Sequence, residues 1–312
     1  MKSCQMYRFF PIILCVCVLT IGCSNTTDSS TDAQELTPAT ESASHTARTP
    51  QVLTPHADGT KTFTTDTAVI DISHTDEGYI MAKYTGSNSK PKLQLTGPDS
   101  VTYTYNLYKD YNTFPLTSGD GTYQVGVYEN VSDDRYTTLL SETFSVTLTD
   151  PLKPYLYPNQ YVNFTADSLP VPKAGELAAG ADNDLDIISR VYNYIITHFT
   201  YDYSKASSVK SGYLPDIDEV FTSQKGICFD YAAVMACMLR SQGIPTRLEV
   251  GYMKEQYHAW ISTYVPEKGW INGVIRFDGK DWEMLDPTFA STSHSPKEFV
   301  TENDNYTTKY IY

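Results

Sequence analysis

Residues 231–239 read Y-A-A-V-M-A-C-M-L, a run without a charge and without a strong helix breaker. A helix that is apolar on every side is a buried helix, so this stretch has to sit at the centre of a domain. Its limits can be read as well. Gly226 permits a tight turn before it, and the spacing predicts a helix over 227–240. Gly243 supplies a left-handed residue after it, and Pro245 bars continuation. A strand follows in which Leu248, Val250 and Tyr252 alternate on one face.

Two cysteines lie on this helix, and helical geometry separates them. Cys228 and Cys237 are half a rotation out of phase, with Cα atoms roughly 13 Å apart, too far for a disulfide. Cys237 reads as a small core residue. Cys228 stands among the unpaired backbone N–H groups of the helix start, an environment that favours thiolate and lowers a cysteine's pKa. It is the candidate nucleophile.

The rest of the 312-residue chain allows two domains with their own cores. Residues 1–22 are expected to belong to neither. Lys2 and Arg8 precede an apolar run over 9–21 that is too short for a comfortable membrane span and reads as a secretory signal. The ending T-I-G-C resembles the lipobox of bacterial lipoproteins, which implies lipidation of Cys23 as the mature N-terminus. Thr20 departs from the aliphatic residue usual three positions before the cysteine, although Leu19 stands just upstream. The expected location is therefore extracytoplasmic, with the chain anchored by lipid to a bacterial cell membrane.

Loss of the leader removes Cys4, Cys15 and Cys17, and a lipidated Cys23 leaves no pair for a disulfide framework. The formal net charge is −14, and losing Lys2 and Arg8 makes it more negative still. Nucleic acid is excluded as a partner on that balance, because phosphates must be met by basic groups. Residues 23–59 are rich in Ser, Thr, Ala and Pro without a sustained apolar period, and read as a disordered tether.

Over 60–150 the pattern changes to short alternating runs separated by turn signals such as Gly97-Pro98, Gly119-Asp120-Gly121 and Ser132-Asp133-Asp134. About seven short strands at this spacing predict an all-β, immunoglobulin-like or fibronectin-like sandwich. No chemistry stands out in it, and the expected role is a spacer or weak binding module. Asp150-Pro151 marks a boundary, and 151–312 form the second domain. Little structure is legible before Ala181. A helix is predicted over 185–199 from the stripe Leu185, Ile188, Val191, Tyr192, Ile195 and Phe199, and a short helical piece over 217–221. Beyond the cysteine helix, a second strand over 257–264 pairs with the first. Residues 270–285 read as a hairpin turning at Asp278-Gly279 and ending in L-D-P-T.

A cysteine at a helix start, a histidine on a strand and an aspartate ending a neighbouring strand can serve as nucleophile, base and orienting group. The order Cys228, His258 in H-A-W and Asp286 in D-P-T resembles that of the transglutaminase-like superfamily, relatives of the papain-type cysteine proteases. The likeness takes in I-T-H-F-T-Y-D-Y (196–203), K-G-I-C-F-D-Y-A (225–232) and L-R-S-Q-G-I-P-T-R (239–247). It implies an α+β fold with a cysteine helix on an antiparallel sheet, and a catalytic triad of Cys228, His258 and Asp286. The separation of His258 from Asp286 is longer than in many members, and the hairpin over 271–282 accounts for the excess.

The implied activity is attack on a peptide or side-chain amide through a thioester, with a peptide or protein as substrate. Hydrolysis is the favoured outcome; cross-linking to an amine, or a non-catalytic surface binding module, are the alternatives. The backbone N–H of Cys228 is one oxyanion donor, and Gln224 is a weak candidate for the second. No cofactor is expected, and no metal site either, since neither C-x-x-C nor H-x-x-x-H occurs. His198 and His294 read as structural or solvent-exposed, Trp260 as core or cleft wall, and Tyr201 and Tyr203 as packing residues first, with lining of the cleft as the alternative.

Overall fold

A computed structural model describes residues 49–253, 255–266, 268–271, 275–277, 282–284 and 306–312. Cys23, Asp286, His294 and the Asp278-Gly279 turn lie outside the described residues. Among the described residues, no helix is long and apolar enough to cross a membrane.

Eight strands fill the first region: β1 (Thr62–Thr64), β2 (Ala68–Asp71), β3 (Tyr79–Tyr84), β4 (Lys92–Thr96), β5 (Thr102–Asn106), β6 (Asn112–Pro115), β7 (Gly121–Ser132) and β8 (Arg135–Val146). They form two antiparallel sheets, β1-β2-β3-β6 and β5-β4-β7-β8. Alternation decides which face goes inward. Tyr103 and Tyr105 of β5 are buried while Thr102 and Thr104 are exposed. The Tyr105 ring meets Phe114 of the opposite sheet edge-on at 4.8 Å, so the two sheets share a core. The region is all-β and two-sheeted, with eight strands where about seven were expected. β1 and β6 are too short to show a pattern. β8 begins well before its legible run because its first half is largely exposed.

The tether was expected to reach residue 59, but 49–59 are packed. Gln51 N–H donates to the Ser241 carbonyl at 2.6 Å, and Gly59 N–H donates to the buried Asp71 carboxylate at 2.6 Å. The described residues from 49 onward fall in one compact unit.

The second region is α+β. It holds α1 (Pro170–Ala178), α2 (Asp184–His198), β9 (Thr200–Tyr201), α3 (Tyr203–Ser208), α4 (Ile217–Ser223), β10 (Lys225–Gly226) and α5 (Cys228–Arg240). Then come β11 (Thr246–Met253), β12 (Gln256–Val265), β13 (Gly269–Ile271), the hairpin β14 (Ile275–Phe277) and β15 (Trp282–Met284), and β16 (Tyr306–Ile311). α2 and α5 fall where periodicity placed them, and the Asn183 side chain caps α2 by accepting the Asp186 N–H. α5 is buried along nearly its whole length. It lies against α1, α2 and α4 on one side and against β11 and β12 of the antiparallel sheet β13-β12-β11-β16 on the other.

Arg240 closes the far end of α5. It is wholly buried, and its guanidinium donates to the carbonyls of Thr246, Tyr157 and Tyr312 at 2.7 to 2.9 Å. One side chain thus joins the cysteine helix, β11, the segment after the sandwich and the last residue. Gly243 takes the left-handed conformation expected of it, at φ 76°.

Candidate active site

Cys228 is the first residue of α5, and the turn before it is fixed from three directions. Ile227 is the N-cap and offers no side-chain oxygen, so Asp230 reaches back and accepts the Ile227 N–H at 2.8 Å. Asp230 is fully buried and is itself held by Lys205 Nζ at 2.8 Å and by the Tyr213 hydroxyl at 2.6 Å. Gly226 is required here, because a Cβ would come within 2.7 Å of the Asp230 side chain. Tyr201 sits on β9, which pairs in parallel with β10, so the same turn carries Tyr201 toward the cysteine.

His258 lies on β12, directly opposite Gly251 of β11. A side chain at Gly251 would collide with the Thr307 carbonyl at 2.0 Å, so glycine lets β16 close against the strand pair beside the histidine. The His258 ring is buried and lies near-parallel to Trp260, with centroids 6.3 Å apart. Cys228 and His258 line one cleft of about 860 Å³. Its walls include Tyr201, Tyr213 and Phe229 near the thiol, and the half-exposed Tyr252 and Tyr257 at its edge. The sandwich contributes Lys92, Thr104 and Asn106. That wall was not legible in the sequence, because no local pattern ties β4 and β5 to a helix more than a hundred residues away.

The electrostatics of the thiol correct the sequence reading. Burial pushes the Cys228 thiol up. The backbone N–H groups of Ala259, Phe229 and Cys228 itself pull the other way, as a helix start should, but they do not prevail, and the Asp230 charge adds to the rise. The Ala259 contribution places the sulfur against the strand that carries His258. Tyr201 is pushed up to about 12, chiefly by burial and next by the neighbouring Cys228.

The remaining expectations sort by position. Cys237 is wholly buried and the two cysteines are unbridged. Gln224 does not line the cleft; it is the left-handed C-cap of α4, at φ 50°, and its carbonyl accepts the Thr200 N–H at 2.9 Å. Tyr201 lines the cleft, whereas Tyr203 stands outside it, exposed, with its ring edge-on to Tyr201 at 5.0 Å. His198 is exposed and stacks on Tyr194. Trp260 is core. Cys228 and His258, two of the three residues expected to form a triad, line the same cleft, and the third, Asp286, falls outside the described residues.

Residues 172–273, which contain Cys228 and His258, match the model of the transglutaminase-like superfamily. The chain carries a transglutaminase-like domain. The protein YebA of Bacillus subtilis (strain 168) is 29% identical over 143 residues, covering 38% of this chain and 19% of that protein. A protein-glutamine gamma-glutamyltransferase of Pseudomonas aeruginosa is 35% identical over 69 residues, covering 18% of this chain and 10% of that enzyme. The chain thus spans less than a fifth of the length of either relative. Among solved structures, the periplasmic domain of TgpA from Pseudomonas aeruginosa, bound to ethylmercury, aligns with 76% of this chain and 77% of its own. The TM-score is 0.32 and the identity 16%.

Proposed function

We propose that this protein is a cysteine-dependent enzyme that transfers acyl groups from peptide or side-chain amides, and that its main outcome is hydrolysis. The observation that carries the reading is the placement of Cys228, at the first turn of a buried helix, in one cleft with His258 of the facing strand. The raised thiol argues for a neutral Cys228 at rest rather than a standing ion pair. His258 takes the proton from Sγ as the sulfur bonds to the amide carbon, then delivers it to the departing amine as the C–N bond breaks. Asp286 holds the imidazole tautomer and offsets its charge. Water, activated by His258, attacks the thioester carbon and releases the carboxylic acid and the free thiol. The Cys228 backbone N–H and the Tyr201 hydroxyl serve the oxyanion.

Hydrolysis is favoured because the cleft that holds Cys228 is edged by the exposed Tyr252 and Tyr257, which gives water a route to the thioester. The name of the Pseudomonas relative favours the second reading, transfer to an amine. Incubating the purified protein with a peptide library, with and without a primary amine, separates the two by mass spectrometry. Cleavage or deamidation supports hydrolysis, amine incorporation supports cross-linking, and absence of any Cys228-dependent product rejects the enzyme.

The leader residues support a lipid anchor at Cys23 and work at the outer face of a bacterial membrane, with the tether as stalk and an immunoglobulin-like sandwich as the outer cleft wall. Intact-mass analysis of the membrane fraction tests this: an unmodified mature N-terminus at another residue rejects it.

A further inference from the structure

Two histidines and an aspartate converge on the sandwich, away from the cysteine cleft. His56 and Asp58 belong to the packed segment over 49–59, and His74 follows β2. One ligating atom from each lies within 4.8 Å of the other two. Asp58 Oδ2 is 2.9 Å from His74 Nε2, and Asp58 Oδ1 is 3.5 Å from His56 Nε2. Tetrahedral zinc with bonds of about 2.0 to 2.1 Å sets its ligand atoms about 3.3 Å apart. The two contacts to Asp58, made by different carboxylate oxygens, lie to either side of that value, and a modest closing of the three side chains would complete the geometry.

The protonation of the rings fits as well. His56 Nδ1 lies 3.2 Å from the Thr54 carbonyl. A carbonyl only accepts, so Nδ1 donates there, and Nε2, which faces the cluster, is the ring atom left to bind a cation. His74 Nε2 is a buried atom and makes no hydrogen bond among the described residues, although the Asp58 carboxylate is close by. A cation between the two would use both. Packing holds both rings in place: His74 stacks on Tyr79 at 5.4 Å, and the two imidazoles meet edge-on at 4.5 Å.

We propose that His56, Asp58 and His74 form a site for a zinc-type divalent cation that clamps the 49–59 segment to the sandwich. Two imidazole nitrogens and one carboxylate select a transition metal over magnesium or calcium, which prefer oxygen. Three protein ligands leave one position for water, consistent with the exposure of His56 and Asp58. The clamp is distant from the opposite end of the segment, where Gln51 is tied to the C-terminal end of the cysteine helix. Metal binding would thus fix the segment that links the sandwich to the catalytic region. The sequence signal is H-x-D followed by a single distant histidine, which a search for paired motifs passes over.

The test uses the full chain carrying Cys23→Ala and Cys228→Ala, so that neither thiol captures metal. Zinc sulfate should leave one zinc per chain after gel filtration and raise the melting temperature with zinc concentration, whereas magnesium should do neither. His56→Ala and His74→Ala should abolish both effects. Zinc should also protect His56 and His74, and no other histidine, from diethyl pyrocarbonate in the parent protein, a measurement that does not depend on the variants folding. Absence of bound zinc, unchanged zinc binding in both folded variants, or equal modification of His56 and His74 with and without zinc overturns the proposal.

Discussion

The Asp230 carboxylate accepts the Ile227 N–H at 2.8 Å and so fixes the start of the helix on which Cys228 stands, while its charge opposes ionisation of that same cysteine. The two effects separate under substitution. Asp230→Asn keeps an oxygen for the Ile227 N–H and removes the charge. We expect the pH profile of Cys228 alkylation by iodoacetamide to move to lower pH in this variant. In the parent it should rise beyond the ordinary thiol range, near 8.5. Asp230→Ala should instead lower the melting temperature, because the cap is lost and Lys205 and Tyr213 lose their partner. An unmoved profile in a folded Asp230→Asn protein would show that the charge is not felt at the sulfur.

Arg240 is the counterpart at the other end of the helix. Its donors satisfy three buried carbonyls from separate parts of the chain. Arg240→Leu removes the guanidinium donors from those buried carbonyls, although the Tyr312 oxygen keeps the Leu248 N–H at 2.9 Å, and should cost on the order of 3 kcal/mol, read as a shift in urea midpoint. Arg240→Lys should lie between the two, since one ammonium cannot match the fork of the guanidinium.

How much of this was legible follows from how local each cause is. α2 and α5 announce themselves through periodicity and caps within their own sequence, and so do β11 and β12. α1 escaped because it is short and begins at Pro170, followed closely by Pro172, residues that read as loop until their place at a helix start is known. β16 escaped because Y-T-T-K-Y-I gains its strand character from pairing with β11, far back in the chain. Cys228 shows the same limit in chemistry. The helix start that favours a thiolate is local and was foreseen, whereas the burial that outweighs it comes from β12 and the aromatic walls.

The tyrosine-rich core sets the alkaline limit of the fold. Burial pushes Tyr79 and Tyr201 up to about 12, and raises Tyr103, Tyr105 and Tyr161 as well. A folded pKa above the unfolded value near 10 means that the folded state binds more protons, so stability falls as pH rises from about 10. Arg240 acts in the opposite sense, because burial lowers it to about 9 and the unfolded chain then holds the extra proton between about 9 and 12.5. One arginine is outnumbered. The urea midpoint should therefore decline above about pH 10, with phenolate absorbance at 295 nm appearing together with loss of circular dichroism. Phenolate growth well ahead of unfolding would show that these rings are accessible.

Catalysis gives the most direct test, because each residue should fail in its own way. Cys228→Ala removes the atom that forms the thioester, so amide turnover should vanish while the fold persists on the apolar body of α5. His258→Ala should abolish turnover and leave Cys228 able to alkylate at high pH, since the thiol itself is intact. Tyr201→Phe keeps the packing and removes one hydroxyl; loss of an oxyanion donor should lower kcat by about 100-fold with little change in KM. Asp286→Asn offers the imidazole the wrong partner, and by analogy with the serine triad should cost on the order of a thousandfold. Turnover of an amide substrate, measured beside circular dichroism for each variant, checks all four. Full activity in a folded Cys228→Ala protein would remove the enzyme reading and leave a surface binding module in its place.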